Sequence, residues 1–271
     1  MSKTSEHQSA QQDEISLAKQ TADSLAERLY SRDLQLRRVF LVVGASSETS
    51  APPLAQMLRG GRGGEVRLKL YLSLLWTASG EGHDVSLPAR VWATLLGLPQ
   101  PDTNGARRIR DALQWLARHG YVTVHEKPGI PSTVKLLEES GLRRPYTVPG
   151  ARAGLIKTSG GVVGPTHLYM KVPPTLWTQG WLAKLTGRGL ATFLILWNEL
   201  TSRAAEEVWL SPALATERYA LSEDTRYRGL AELDELGLVE VGQRPVSNGA
   251  LGMRRLRNTY RLSPDALSRG I

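Results

Sequence analysis

The 271-residue chain contains no cysteine and only two phenylalanines. Without cysteine there is no disulfide and no thiolate metal site. The five histidines (His7, His83, His119, His125 and His167) never fall at metal-ligand spacing. Neither a metal nor a cofactor is expected. Long apolar runs are missing as well. Stretches such as Leu190–Trp197 fall far short of the roughly 20 residues that cross a bilayer. Met1 to Gln20 are polar and charged, unlike a secretory signal. A cytoplasmic protein without a membrane partner is expected. Scarce phenylalanine leaves single-stranded bases no evident stacking platform. There is no HExxH, no GxSxG and no carboxylate cluster in a glycine-framed loop. The chain is therefore not expected to be an enzyme.

Acid is also in short supply. Lys and Arg number 34 against 26 Asp and Glu, a net charge of +8. Of the basic residues 26 are Arg and 8 are Lys. Arginine is the better fork for phosphates and guanine edges, although GC-rich coding DNA also raises its frequency. Nucleic acid is the first partner to test. At about 150 residues per domain the length suggests two domains.

An internal duplication is the most informative pattern present. Residues 52–76 read PPLAQMLRGGRGGEVRLKLYLSLLW and residues 173–197 read PPTLWTQGWLAKLTGRGLATFLILW. Pro52 and Pro53 match Pro173 and Pro174, and Leu75-Trp76 match Leu196-Trp197. Then 86–98 resembles 210–221, and 106–124 resembles 224–241. Val66–Ala78 and Arg188–Thr201 are apolar over too long a stretch for strands, so both read as buried helices. Pro88 and Pro212 suit first-turn positions of second helices, with Asp84 or Ser86, and Ser211, as caps. Third helices start near Thr103–Asn104 and at Ser222, and stop at Gly120 and Gly237.

A hairpin follows each third helix. In the first, 121–126 and 133–138 flank KPGIPS; in the second, 238–243 and 254–262 flank a loop turned by Ser247-Asn248-Gly249. A strand is expected before each unit, at 37–43 and 167–172. Residues 1–15 read as disordered, and 16–32 as an amphipathic helix. Trp76, Trp92, Trp115 and Trp197 read as core, and Trp177 and Trp181 as packing before the second long helix. The expected division is a tail and helix over 1–32, a first domain over 33–139, a linker over 140–166 and a second domain over 167–265.

Three helices and a hairpin, the third helix basic, make the winged helix-turn-helix pattern. The fold class expected is mainly α with small β, two such domains in tandem. A third helix fits the major groove, about 12 Å wide, and the hairpin brings cations to phosphates. The first candidate reading helix, Asn104–His119, carries Arg107, Arg108, Arg110 and Arg118 against Asp111 alone. Asn104, Arg107, Arg108 and Arg110 lie at its start, where bases are read, and Lys127 lies in the hairpin turn. The second, Ser222–Leu236, holds Arg226 and Arg228 against five acids. Its hairpin compensates: Arg244, Arg254, Arg255, Arg257 and Arg261 come without an acid between 244 and 261. The run Arg59-Gly60-Gly61-Arg62-Gly63-Gly64 is not a P-loop, since no Gly-Lys-Ser/Thr follows. It suits a phosphate-touching turn or a plain connector equally.

This architecture, over about residues 37–262, resembles the tandem winged-helix DNA-binding proteins of plasmids and mobile elements. Replication initiators that bind repeated origin sites are the type it is most similar to. The resemblance implies a double-stranded DNA partner, nucleoid or plasmid association, and a possible homodimer. Transcriptional regulators share the architecture, and so do the tandem winged-helix scaffolds of condensin complexes, the ScpB type, which bind protein. The acidic second reading helix departs from the basic pattern of DNA readers.

Overall fold

No glycine or proline interrupts residues 2–28, and Gln, Glu, Lys and Ala are good helix formers. In the computed structural model α1 accordingly runs Ser2–Arg28, not only from residue 16. Its Ile15, Ala18, Ala22 and Leu25 are buried, which anchors the polar N-terminal half. The structure describes residues 2–29, 32–44, 51–59, 61, 63–78, 82–247, 254–263 and 267. The side chains of 2–8, 246, 247, 254 and 255 lie outside that description.

The chain is mainly helical with small antiparallel sheets. After α1 come β1 (Leu34–Arg37), a 3-10 turn (Arg38–Phe40), α2 (Pro53–Leu58) and α3 (Gly64–Thr77). The strand expected at 37–43 is thus displaced towards the N-terminus. Val39, Phe40 and Leu41 are all buried in succession, which a turn allows and an alternating strand does not. Next are β2 (Asp84–Ser86), α4 (Ala89–Leu95), a π-type turn (Pro101–Gly105) and α5 (Ala106–Arg118). Asp84 and Ser86 do not cap α4. They pair with Lys135 and Thr133 in a strand, and Pro88 itself, lacking an N–H to satisfy, is the N-cap. The hairpin β3 (Val122–His125) and β4 (Thr133–Leu136) completes a sheet of order β2-β4-β3.

Beyond it run α6 (Pro149–Thr158), β5 (Tyr169–Val172), α7 (Thr175–Thr178), α8 (Trp181–Lys184) and α9 (Gly187–Arg203). They are followed by α10 (Pro212–Tyr219), α11 (Glu223–Glu235) and the ribbon β6 (Val239–Ser247) and β7 (Arg254–Leu262). Ser211 caps α10 and Ser222 caps α11, each accepting from a backbone N–H three residues on. Val208 bridges Tyr260 on the far edge of β7. The order helix, short extended segment, two helices, hairpin therefore occurs twice, each time with the hairpin's second strand in the middle. Asn248 and Gly249, expected to turn the second hairpin, lie outside the described residues.

What joins the two halves is strand pairing and a shared core. β1 pairs antiparallel with β5, with Gln35 opposite Lys171 at its middle and Leu34, Leu36, Met170 and Val172 buried. One apolar cluster includes Phe40, Trp76 and Leu116 of the first half and Trp177, Phe193 and Leu233 of the second. Trp76 stacks on Trp177 at 4.7 Å, and Trp177 Nε1 donates to Ser73 Oγ at 3.0 Å. The stretch 140–166 is tied down as well. Arg37, 1% exposed, pairs with the buried Glu139 and donates to Thr147 O and Oγ1. Gly150 N donates to Gln35 Oε1 at 2.7 Å, an approach a Cβ would obstruct.

Because the halves share this core, fragments 33–145 and 160–271 are expected not to fold alone. Each should lack a cooperative thermal transition by circular dichroism, and mixing them should restore one. Two fragments that each melt cooperatively at the temperature of the intact chain would refute the shared core.

Candidate nucleic-acid interface

The first candidate surface is built on α5. Ala106, Ile109, Ala112, Leu113 and Leu116 are buried at helical spacing, so the helix has one dry face. Its opposite face carries Arg107, Arg110, Gln114 and Arg118, all exposed, with Asp111 the acid among them. Arg108 is half-buried on the flank. The start of α5 is held close to α4, since a Cβ on Gly105 would lie 3.0 Å from Ala93 Cβ. Its end is forced by Gly120, at φ +80, where a Cβ would meet Gly141 O at 2.7 Å. Among the described residues the ion pairs involve none of Arg107, Arg108, Arg110 and Arg118.

Other expected residues are placed less freely. Asn104 lies in the π-type turn before α5, and its Nδ2 donates to Gln100 Oε1 at 2.6 Å. Lys127 is exposed between β3 and β4, in the hairpin that follows α5 directly. Near the C-terminal end of α5 an aromatic stack appears that the sequence reading missed. The Arg67 guanidinium lies 4.7 Å over the Trp115 ring, and His119 stacks on that ring at 3.8 Å. Trp115 is thus half-buried between a cation and an imidazole, not sealed in the core.

The second unit holds its charges differently. Arg228 pairs with Asp224 at 2.7 Å, and Arg226 is half-buried and donates to Leu210 O. Glu223, Asp224, Asp234 and Glu235 are exposed around Tyr227, which is 68% exposed. On the ribbon Arg244 pairs with Glu207, and Arg261 with Glu206 at 3.6 Å. Arg257 lies 3.9 Å over Trp209. Glu206, Glu207 and Trp209 sit on the extended segment beside β7. Nothing in their local sequence announces these partners, which are 37 to 55 residues away. The backbones of Arg254 and Arg255 belong to β7, opposite Ser247 and Val246; their side chains lie outside the described residues.

The surfaces meet near Glu65, in the first turn of α3. Its Oε1 accepts from Lys69 Nζ at 2.8 Å and its Oε2 from Gly187 N, at the start of α9, at 3.0 Å. Lys69 Nζ also donates to Ala183 O. Burial pushes the Glu65 carboxyl up, but Lys69, Gly187 N–H and the nearby Arg108 outweigh it and hold it below the usual carboxylate range. On the far side of the α9 terminus Glu232 of α11 accepts from Thr186 N and its hydroxyl.

Comparison with protein-family models, curated proteins and solved structures gives no match to this chain. The functional reading therefore rests on the chain's own geometry. Among the described residues no His, Asp or Glu cluster is arranged to hold a metal ion, and no helix is long and apolar enough to cross a membrane.

The Glu65 junction has a pH signature. A carboxyl held low in the folded state stabilises it above the unfolded value of about 4.3, and that contribution is lost as pH falls through the folded value. Urea unfolding between pH 7 and 3 should show stability falling on the acid side. In Glu65→Gln the fall should be shallower, from a lower neutral starting point. Parallel curves for the two proteins would remove Glu65 from the account.

Proposed function

We propose that this chain binds double-stranded DNA through a winged helix-turn-helix unit whose reading helix is α5. The observation that carries this is the exposed row Arg107, Arg110, Gln114 and Arg118, whose arginines are in no described ion pair. Three exposed arginines against the single acid Asp111 leave this face net positive, which attracts an anion. An α-helix fits the major groove, and arginine pairs bidentately with guanine O6 and N7. The sheet order β2-β4-β3 leaves the β3–β4 turn, with Lys127, free to reach a phosphate beside that groove.

The second unit has the same element order, which supports reading the chain as two winged helices in tandem. Its part in binding is different. With Arg226 and Arg228 engaged internally and acids around Tyr227, α11 is poorly suited to base edges and better suited to a protein partner. Here one unit reads and the other positions. By its resemblance to plasmid and mobile-element initiators, the DNA is an origin. A transcriptional regulator would use the same surface at a promoter.

Arg107→Ala or Arg110→Ala should cost about 1–3 kcal/mol on a selected site and relax base preference there. Arg228→Ala should leave specificity intact. Fluorescence anisotropy on selected and random duplexes makes the comparison. If the α5 variants lose no more on the selected duplex than on the random one, α5 does not read sequence.

A further inference from the structure

Between the two third helices stands the turn that carries the arginine-glycine run. Gly60 and Arg62 lie outside the described residues, but the rest of the turn is informative. Gly61 is exposed at φ +93 with open space where a Cβ would sit. Gly64 is buried, and a Cβ there would lie 2.9 Å from both Met57 O and Leu58 O. Gly64 N donates to Gly61 O at 3.2 Å, which closes a turn in which Gly64 is packed and Gly61 leaves its own backbone bare. Such a turn lets a ligand approach the main chain closely.

Cavities open on both sides of this turn. On one side about 280 Å³ is lined by Gly63, Arg67, Arg107 and Arg108, so it opens onto the start of α5. On the other about 470 Å³ is lined by Gly61, Gly64, Arg188 and Arg228, at the joint of α9 and α11. A third, of about 370 Å³, continues past Leu58 and Thr225 to Arg59. These hollows make a path from the first unit's reading helix to the second unit.

Most acids along the path are already engaged. Glu65 serves Lys69 and Gly187 N, Glu232 serves Thr186, and Asp224 serves Arg228. The α9 N-terminus is filled by Glu65 and by the Thr186 cap, so its backbone has no room for an outside anion. Arg59 and Arg188 are both exposed, and neither is in an ion pair of the described residues. We propose that a phosphodiester backbone of the bound duplex crosses from the first unit to the second past Gly61, held by Arg59 and Arg188. The second unit then touches DNA through the start of α9, and not through α11. This rests on the reading of α5 as a DNA-binding helix and adds a sequence-independent contact to it.

The test uses the full chain and a fluorescein-labelled 30-base-pair duplex of random sequence, titrated between 50 and 200 mM KCl. Each phosphate neutralised contributes about 0.9 to the slope of log K against log salt. Arg59→Ala and Arg188→Ala should each weaken binding several-fold on every sequence. Each should lower the slope by about 1, and the double variant by about 2. Arg188→Lys should keep the slope, and melting temperatures should not move. Unchanged slopes in both alanine variants, with the wild type still binding, would overturn the proposal and leave the α5 reading standing. Equal loss in Arg188→Lys and Arg188→Ala would make Arg188 a packing residue and overturn it as well. A wild-type chain that binds no duplex at any of these salt concentrations would end both readings together.

Discussion

The structure depends on a helix that cannot face water on any side. In α3 the buried residues run almost without a break from Val66 to Thr77, including Leu68, Lys69, Leu70, Tyr71, Leu72, Ser73, Leu74 and Trp76. A helix apolar all round must be covered all round. In the first half α5, α2 and β1 cover part of it. The rest is closed by α9 and by Trp177 of the second unit. The same need explains why polar groups inside this joint are satisfied across the unit boundary. Ser73 accepts from Trp177, and Lys69 donates to Ala183 O. Removing a buried tryptophan such as Trp177 costs about 3–5 kcal/mol, a large share of the ~5–15 kcal/mol that holds an ordinary domain.

The charge distribution follows from this arrangement. The first unit is the one whose third helix keeps its arginines outside the described ion pairs. In the second unit each described arginine of α11 and the ribbon has a partner near at hand, a carboxylate, a carbonyl or an indole. Two units of the same plan therefore present different chemistry. Because they share a core, a ligand held by one meets the other at a set position, without the search that a flexible tether would impose.

Much of this was legible in the residues. Dense apolar runs announced α3 and α9, serines announced the caps of α10 and α11, and Gly120 and Gly237 announced where third helices stop. The basic face of α5 was legible because helical spacing alone puts Arg107, Arg110 and Gln114 together. The rest depends on partners far along the chain. Asp84-Val85-Ser86 is too short to read as a strand until β4 lies beside it. Arg38–Phe40 turn because Arg38 N donates to Leu168 O, 130 residues away. The neutralisation of Arg244 needs Glu207, and the pairing of β1 with β5 needs both units at once. A polar helix such as the first half of α1 carries no apolar period to announce it.

The claim that one core serves both units is tested most directly by differential scanning calorimetry of the intact chain. The account predicts a single transition, with calorimetric and van't Hoff enthalpies equal within error. Trp177→Ala, a change in the second unit, should lower that whole transition. Two resolved transitions, only one of them moved by Trp177→Ala, would contradict it.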